Sequence, residues 1–130
     1  MENTTYTKNV MKHFLKPKFR GEIKNADAVG KVGNARCGDI MHIYLKIDEK
    51  KGSKEKYIKD IKFQTMGCVA AIATSDVVCG LAKGKTLKEA LKISKDDIVK
   101  KLGSLPKIKY HCSLLGEDAL HQAIKNYKEK

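Results

Sequence analysis

The chain has no tryptophan, only two prolines, and no two cysteines in a Cys-x-x-Cys arrangement. Aromatics make up 6% of it, so few large rings are available to pin a core or to stack on bases. No stretch approaches the roughly 20 apolar residues that a membrane span needs. Met1 to Val10 is polar and offers no secretory apolar run. The expectation is a cytoplasmic protein with reduced thiols, so that its four cysteines are ligands, nucleophiles or small buried residues rather than two disulfides. Acids are also in the minority, 15 against 27 Lys and Arg, which leaves a net charge of +12. Such an excess invites a nucleic-acid reading. The lysines, however, are scattered from Lys8 to Lys130, and no RNP-like strand or zinc-finger spacing accompanies them. No specific nucleic-acid partner is therefore expected, and no membrane; the basic surface instead favours acidic protein partners.

What is present reads as one domain over residues 1–130, long enough to bury a core without disulfides. Val10, Met11, Phe14 and Leu15 share a helical face, and Pro17 ends that helix. Residues 21–33 read as irregular chain containing Gly30 and Gly33. Together, 1–33 is expected to be the most loosely anchored part. From Asp39 the pattern has period two, with Met41, Ile43, Leu45 and Ile47 facing one way and His42, Tyr44, Lys46 and Asp48 the other. A charged turn around Gly52 leads to a second strand over 57–65, with Ile61 and Phe63 inward, and the two strands are expected to form an antiparallel hairpin. Beyond Gly67 the chain turns helical. Ala70, Ala73, Val77 and Leu81 form a stripe that stops at Lys83-Gly84. Thr86-x-x-Glu89 and Ser94-x-x-Asp97 are helix-start signals, and Gly103 closes the second of these helices. A last helix from about Ser113 carries Leu115, Ala119, Ala123 and Tyr127 along one face. Strands followed by helices predict an α+β fold, a small antiparallel β-sheet with helices packed on one face.

Three cysteines stand at element boundaries. Cys37 precedes Gly38-Asp39 just before the first strand; Cys68 follows Gly67, and Cys112 follows His111, both near helix starts. Unpaired N–H groups and the positive end of the helix dipole favour a thiolate there, the form that binds metal and attacks sulfur. Asp39 and His111 add a carboxylate and an imidazole, so three thiolates with one of these donors could make a tetrahedral set, or His111 and Cys112 could occupy two separate metals of a dinuclear cluster. The alternatives are plain packing cysteines or weak helix caps.

The stretches Cys37-Gly38-Asp39, Gly67-Cys68 with Ala71-Ile72-Ala73-Thr74-Ser75, Lys83-Gly84-Lys85-Thr86-Leu87 and Lys109-Tyr110-His111-Cys112-Ser113 carry a resemblance over nearly the whole chain. In this order and spacing they resemble the IscU/NifU N-terminal family of iron–sulfur cluster scaffold proteins. The resemblance implies a scaffold, not an enzyme, on which iron and sulfur from a cysteine desulfurase form a transient [2Fe–2S] cluster that passes to apo acceptor proteins. It implies Cys37, Cys68 and Cys112 as cluster ligands, Asp39 as the acid associated with a labile cluster, and His111 as alternate ligand or close neighbour. A carboxylate or imidazole is a poorer iron donor than thiolate, which eases release. Cys112 is the expected persulfide acceptor, with Cys37 its rival. Zinc is expected to fit the same site, and the competing reading is a zinc-binding structural or regulatory thiol protein.

The chain departs from the family where Leu105-Pro106-Lys107-Ile108-Lys109 lacks the second proline of the usual chaperone-recognition stretch, which puts docking of a Hsp70-type chaperone in doubt. No long insertion separates Cys68 from the last helix, and His111 is present, both unlike the zinc-containing SufU-type branch. Cys79, eleven positions after Cys68, lies about 16 Å along the helix from it and is expected to be core packing. His13, His42 and His121 are expected to be surface or partner-facing. Monomer, dimer and trimer all remain open at this level.

Overall fold

The structure is a computed structural model, and it describes residues 6–34, 39–52, 55–105 and 110–129, without the side chains of Asn34, Asp39 and His111. Among these residues, three strands form one antiparallel sheet in the order β1-β2-β3: β1 Ala28–Asn34, β2 Asp39–Glu49 and β3 Lys56–Thr65. Met41, Ile43 and Leu45 of β2 are buried, and His42, Tyr44 and Lys46 lie on the opposite face, as the alternation dictates. β3 breaks the alternation. Leu45 pairs with Ile61 but Ile47 with Ile58, so β3 contains one extra residue and Ile58 returns to the inner face with Ile61 and Phe63. A simple period-two count places Ile58 outward.

The expectation of irregular chain over 21–33 is corrected, because β1 pairs with β2 from Ala28–Leu45 to Asn34–Asp39. Gly30 reads as a breaker, yet here it serves close approach. A Cβ built on it would lie 2.2 Å from the Ala119 carbonyl oxygen and 2.5 Å from the Ala123 nitrogen. Only a glycine lets the helix containing Ala119 and Ala123 settle on this strand.

Five helices are described: α1 Lys8–Leu15, α2 Val69–Ala82, α3 Leu87–Ala90, α4 Lys95–Leu102 and α5 Tyr110–Lys128. The α+β expectation, with helices packed on the sheet, holds. Local signals worked well for α3 and α4. Thr86 with Glu89, and Ser94 with Asp97, each satisfy two helix-start N–H groups reciprocally. α2 differs from the single stripe expected of it, being buried continuously from Ala70 to Cys79 because α1, α4, α5 and β3 surround it. It crosses α5 at Gly116, where a Cβ would meet Val78 Cγ2 at 2.9 Å and Thr74 Cγ2 at 3.0 Å.

The N-terminal region is anchored by polar contacts as well as by buried Val10. Thr7 caps α1 and donates its hydroxyl to the Leu102 carbonyl at 2.5 Å. Asp76 of α2, 1% exposed, accepts the Phe19 N–H at 2.9 Å and lies 2.6 Å from His13 Nδ1. Leu15 is not part of the packed face; it is 67% exposed.

Candidate functional site

The end of β3 and the start of β2 are neighbours, and this brings distant motifs together. Met41 pairs with Thr65, and the Thr65 hydroxyl donates to the Ile40 carbonyl at 2.6 Å. The same hydroxyl accepts the Gly67 N–H at 3.2 Å. One threonine therefore ties the segment leading into Cys68 to the strand that Asp39 begins. Sequence reasoning missed Thr65; its only signal is a hydroxyl at a strand end two residues before the Gly-Cys.

Cys68 is the N-cap residue of α2, with extended backbone at φ −79°, ψ −175°, and its side chain makes no capping hydrogen bond. The weak-cap alternative is thereby removed. Its thiol is half-buried, and the unpaired N–H groups of the first turn of α2 favour negative charge beside it. α5 begins at Tyr110, three residues earlier than expected, so Cys112 sits within its first turn rather than at the boundary. Cys112 is buried, and its Sγ lies 3.9 Å from that of Cys68.

That separation has chemical content. A disulfide needs about 2.05 Å between sulfurs. Two thiolates on one tetrahedral ion, each at about 2.3 Å, stand about 3.8 Å apart. The two thiols thus already have the spacing of ligands to a common metal. The segments that hold the thiols also carry exposed apolar side chains: Met66 is 88% exposed, Tyr110 and Leu114 are each more than two-fifths exposed, and so is Ile40, whose carbonyl accepts the Met66 N–H.

Of the other predicted ligands, Cys37 lies outside the described residues, as does the side chain of Asp39, although the Asp39 backbone opens β2 opposite Asn34. The backbone of His111 is in the first turn of α5; its side chain is likewise outside the description. The chaperone-type stretch is outside as well, from Pro106 to Lys109, while Leu105 is buried.

The remaining cysteine has a different setting. Cys79 is fully buried in the core. Burial, and next the negative charge of Asp76, push its thiol well above the ordinary range, so it stays protonated. Of the histidines, His42 lies on the outer sheet face, edge-on to Tyr44 with centroids 6.4 Å apart. His121 is half-buried, and its Nε2 has no hydrogen-bond partner among the described residues. His13 corrects its expectation, since it contacts the buried carboxylate of Asp76. Asp76 was also missed, although it is the single charged residue within α2.

No helix among the described residues is long and apolar enough to cross a membrane. Residues 5–130 match the model of the NifU-like N-terminal domain. The chain is 52% identical over 125 residues to the iron–sulfur cluster assembly scaffold protein IscU 1 of Archaeoglobus fulgidus, covering 96% of this chain and 78% of that one. It is 42% identical over 128 residues to the mitochondrial iron sulfur cluster assembly protein 1 of Debaryomyces hansenii, covering 96% and 69%. In three dimensions it resembles a protein described as an iron–sulfur cluster assembly scaffold for the SUF system of Fervidobacterium islandicum AW-1. The TM-score is 0.74 at 26% identity, over 92% of this chain and 96% of that one. With a family model matched from residue 5 to the last residue and relatives this similar, the chain belongs to the NifU-like N-terminal domain family.

Proposed function

We propose that this protein is an iron–sulfur cluster assembly scaffold whose cargo, built from iron and desulfurase-derived sulfur, is a transient [2Fe–2S] cluster handed on to apo-proteins. The observation that carries the reading is the convergence of Cys68 and Cys112, 44 positions apart in the chain, to 3.9 Å between sulfurs. The names of its scaffold relatives support the same reading. Cys37 is the third thiolate in this proposal, and Asp39 and His111 are the weaker donors that make the cargo transferable. The role is that of a carrier, without turnover chemistry of its own.

In loading, the Cys112 thiolate attacks the outer sulfur of the desulfurase persulfide. A new S–S bond forms at Cys112, the desulfurase S–S bond breaks, and the desulfurase cysteine leaves as thiolate. Because Cys112 is buried, this step requires the first turn of α5 to open. Cys37 remains the rival acceptor. The exposed apolar rim of Ile40, Met66, Tyr110 and Leu114 suits the docking of the desulfurase and of the acceptors.

Zinc fits the same two sulfurs. A structural zinc domain nevertheless agrees poorly with an apolar core that, among the described residues, runs from Val10 to Ile124. Chelation is expected to leave the protein folded, whereas a structural zinc domain unfolds. The direct test is anaerobic reconstitution with iron and a sulfide source, followed by transfer to an apo-ferredoxin. A visible chromophore that moves to the ferredoxin is expected; no chromophore, or one that cannot be transferred, contradicts the proposal.

A further inference from the structure

The outer side of α2 borders a feature that the scaffold reading does not use. A cavity of about 400 Å³ opens beside α1 and α2, with Phe19, Val77, Gly80 and Leu81 among its lining. A second hollow of about 430 Å³ lies between Leu81 of α2 and α4, over Ile93. Leu81 and Lys101 line both, so the two hollows adjoin and are taken together as one groove.

Its edges are basic. Lys12, Lys16, Lys18 and Lys101 stand around the first hollow, and Lys85 and Lys100 around the second. Among the described residues, none of the first four has a carboxylate within salt-bridge distance. Both acids in the groove are engaged. Asp76 is held by His13 and the Phe19 N–H, and Asp97 accepts the Ser94 N–H at 2.9 Å in the cap of α4. Uncompensated positive charge therefore surrounds an apolar floor.

That combination selects an occupant. A free inorganic anion would use the lysines and leave the apolar floor wet. A nucleic acid would need exposed rings for stacking. Phe19 is half-buried against α2, with Lys83 Nζ 5.8 Å from its ring centroid. A membrane surface does not fill a concave groove. A helix with leucine-like side chains on one face and carboxylates flanking them satisfies floor and rim at once.

We propose that this groove docks an acidic amphipathic segment of a partner protein, its apolar side chains over Phe19, Leu81 and Ile93 and its carboxylates on the rim lysines. The position is separate from the thiols. Asp76 is eight residues along α2 from Cys68, about 12 Å of helix rise, so an occupant here leaves the cysteine end open. The proposal is independent of the scaffold reading. Gly80 provides the means of testing it. It is exposed, and a Cβ there meets only Phe19 Cε2 at 3.5 Å, an ordinary contact, so a larger side chain occupies the groove without entering the core.

The test uses the full chain and a fluorescein-labelled 18-residue peptide of Glu and Leu, with leucines at positions i, i+4, i+7 and i+11. A scrambled peptide of identical composition is the control, and fluorescence anisotropy the readout. The patterned peptide is expected to bind about tenfold more tightly than the scrambled one. Gly80→Leu and Lys101→Glu should each weaken it about fivefold or more, and Lys31→Glu, an exposed charge on β1 at the opposite edge of the sheet, less than about twofold. Equal binding of the two peptides, absence of binding, or indifference to both groove substitutions overturns the proposal. So does tighter binding of a single-stranded RNA 18-mer or of phosphatidylserine vesicles that depends on the same residues.

Discussion

Cys68 and Cys79 lie on the same helix, and their surroundings give one chemical group two different fates. Cys68 stands at the start of α2, half-buried, beside unpaired N–H groups and 3.9 Å from a second sulfur. Cys79 sits near the other end, fully buried among apolar side chains and close to the carboxylate of Asp76. Helix-start electrostatics favour a thiolate at the first, and burial with a like charge disfavours one at the second. Residue type alone therefore says little about reactivity; position on the helix and access to water decide it.

The sharpest way to break this contrast is to remove each thiol in turn. Cys68→Ala is expected to abolish the visible chromophore of the anaerobically reconstituted protein. Cys79→Ala should leave the spectrum unchanged, and loss of the spectrum in that variant would end the distinction. A second substitution probes the carboxylate beside Cys79. Asp76→Ala removes the acceptor of the Phe19 N–H and of His13, which should lower stability by about 2–3 kcal/mol in urea unfolding. Unchanged stability would mean that the contact does not anchor the N-terminal region.

At the other end, Thr65→Val keeps the shape of the side chain and deletes the hydroxyl between the Ile40 carbonyl and the Gly67 N–H. A cost of about 1–2 kcal/mol is expected, together with incomplete cluster loading at iron levels that saturate wild type. Full loading would show that the Cys68 segment is positioned without this threonine.

The smallest effect is one of pH. The folded Cys79 thiol titrates well above its unfolded value, so its contribution to stability is complete below about pH 8.5. Above that pH the unfolded chain loses the proton while the folded chain keeps it, and stability falls. Unfolding free energies from urea titrations should therefore decline less steeply for Cys79→Ala than for wild type from pH 8 to pH 9, by about 1 kcal/mol or less. Parallel declines would place the Cys79 thiol in contact with water.

What was legible in the sequence was local. The alternation of β2, the paired caps of α3 and α4 and the end of α1 before Pro17 each depend on residues within a few positions of one another. β1 was not legible. Gly30 carries the same signal whether it breaks a strand or lets α5 rest on one, and the difference lies in Ala119 and Ala123, some 90 positions away. The inward position of Ile58 was not legible for a related reason, since the bulge that turns it inward belongs to the pairing of β3 with β2. Likewise Asp76 is visible as a charge in an apolar helix, but its partner His13 is on another helix 63 positions earlier.

The cysteines divide along the same line. By itself the sequence determined that Cys68 stands at a helix start and that Cys79 lies inside the same helix. Boundary and helix signals are short-range, so composition and spacing suffice for them. Only the tertiary structure decided that Cys68 and Cys112 approach within 3.9 Å, that Cys112 is buried, and that Thr65 fastens one thiol segment to the strand begun by Asp39. These depend on how α2 and α5 cross at Gly116 and on strand register, which are fixed by packing between distant parts of the chain.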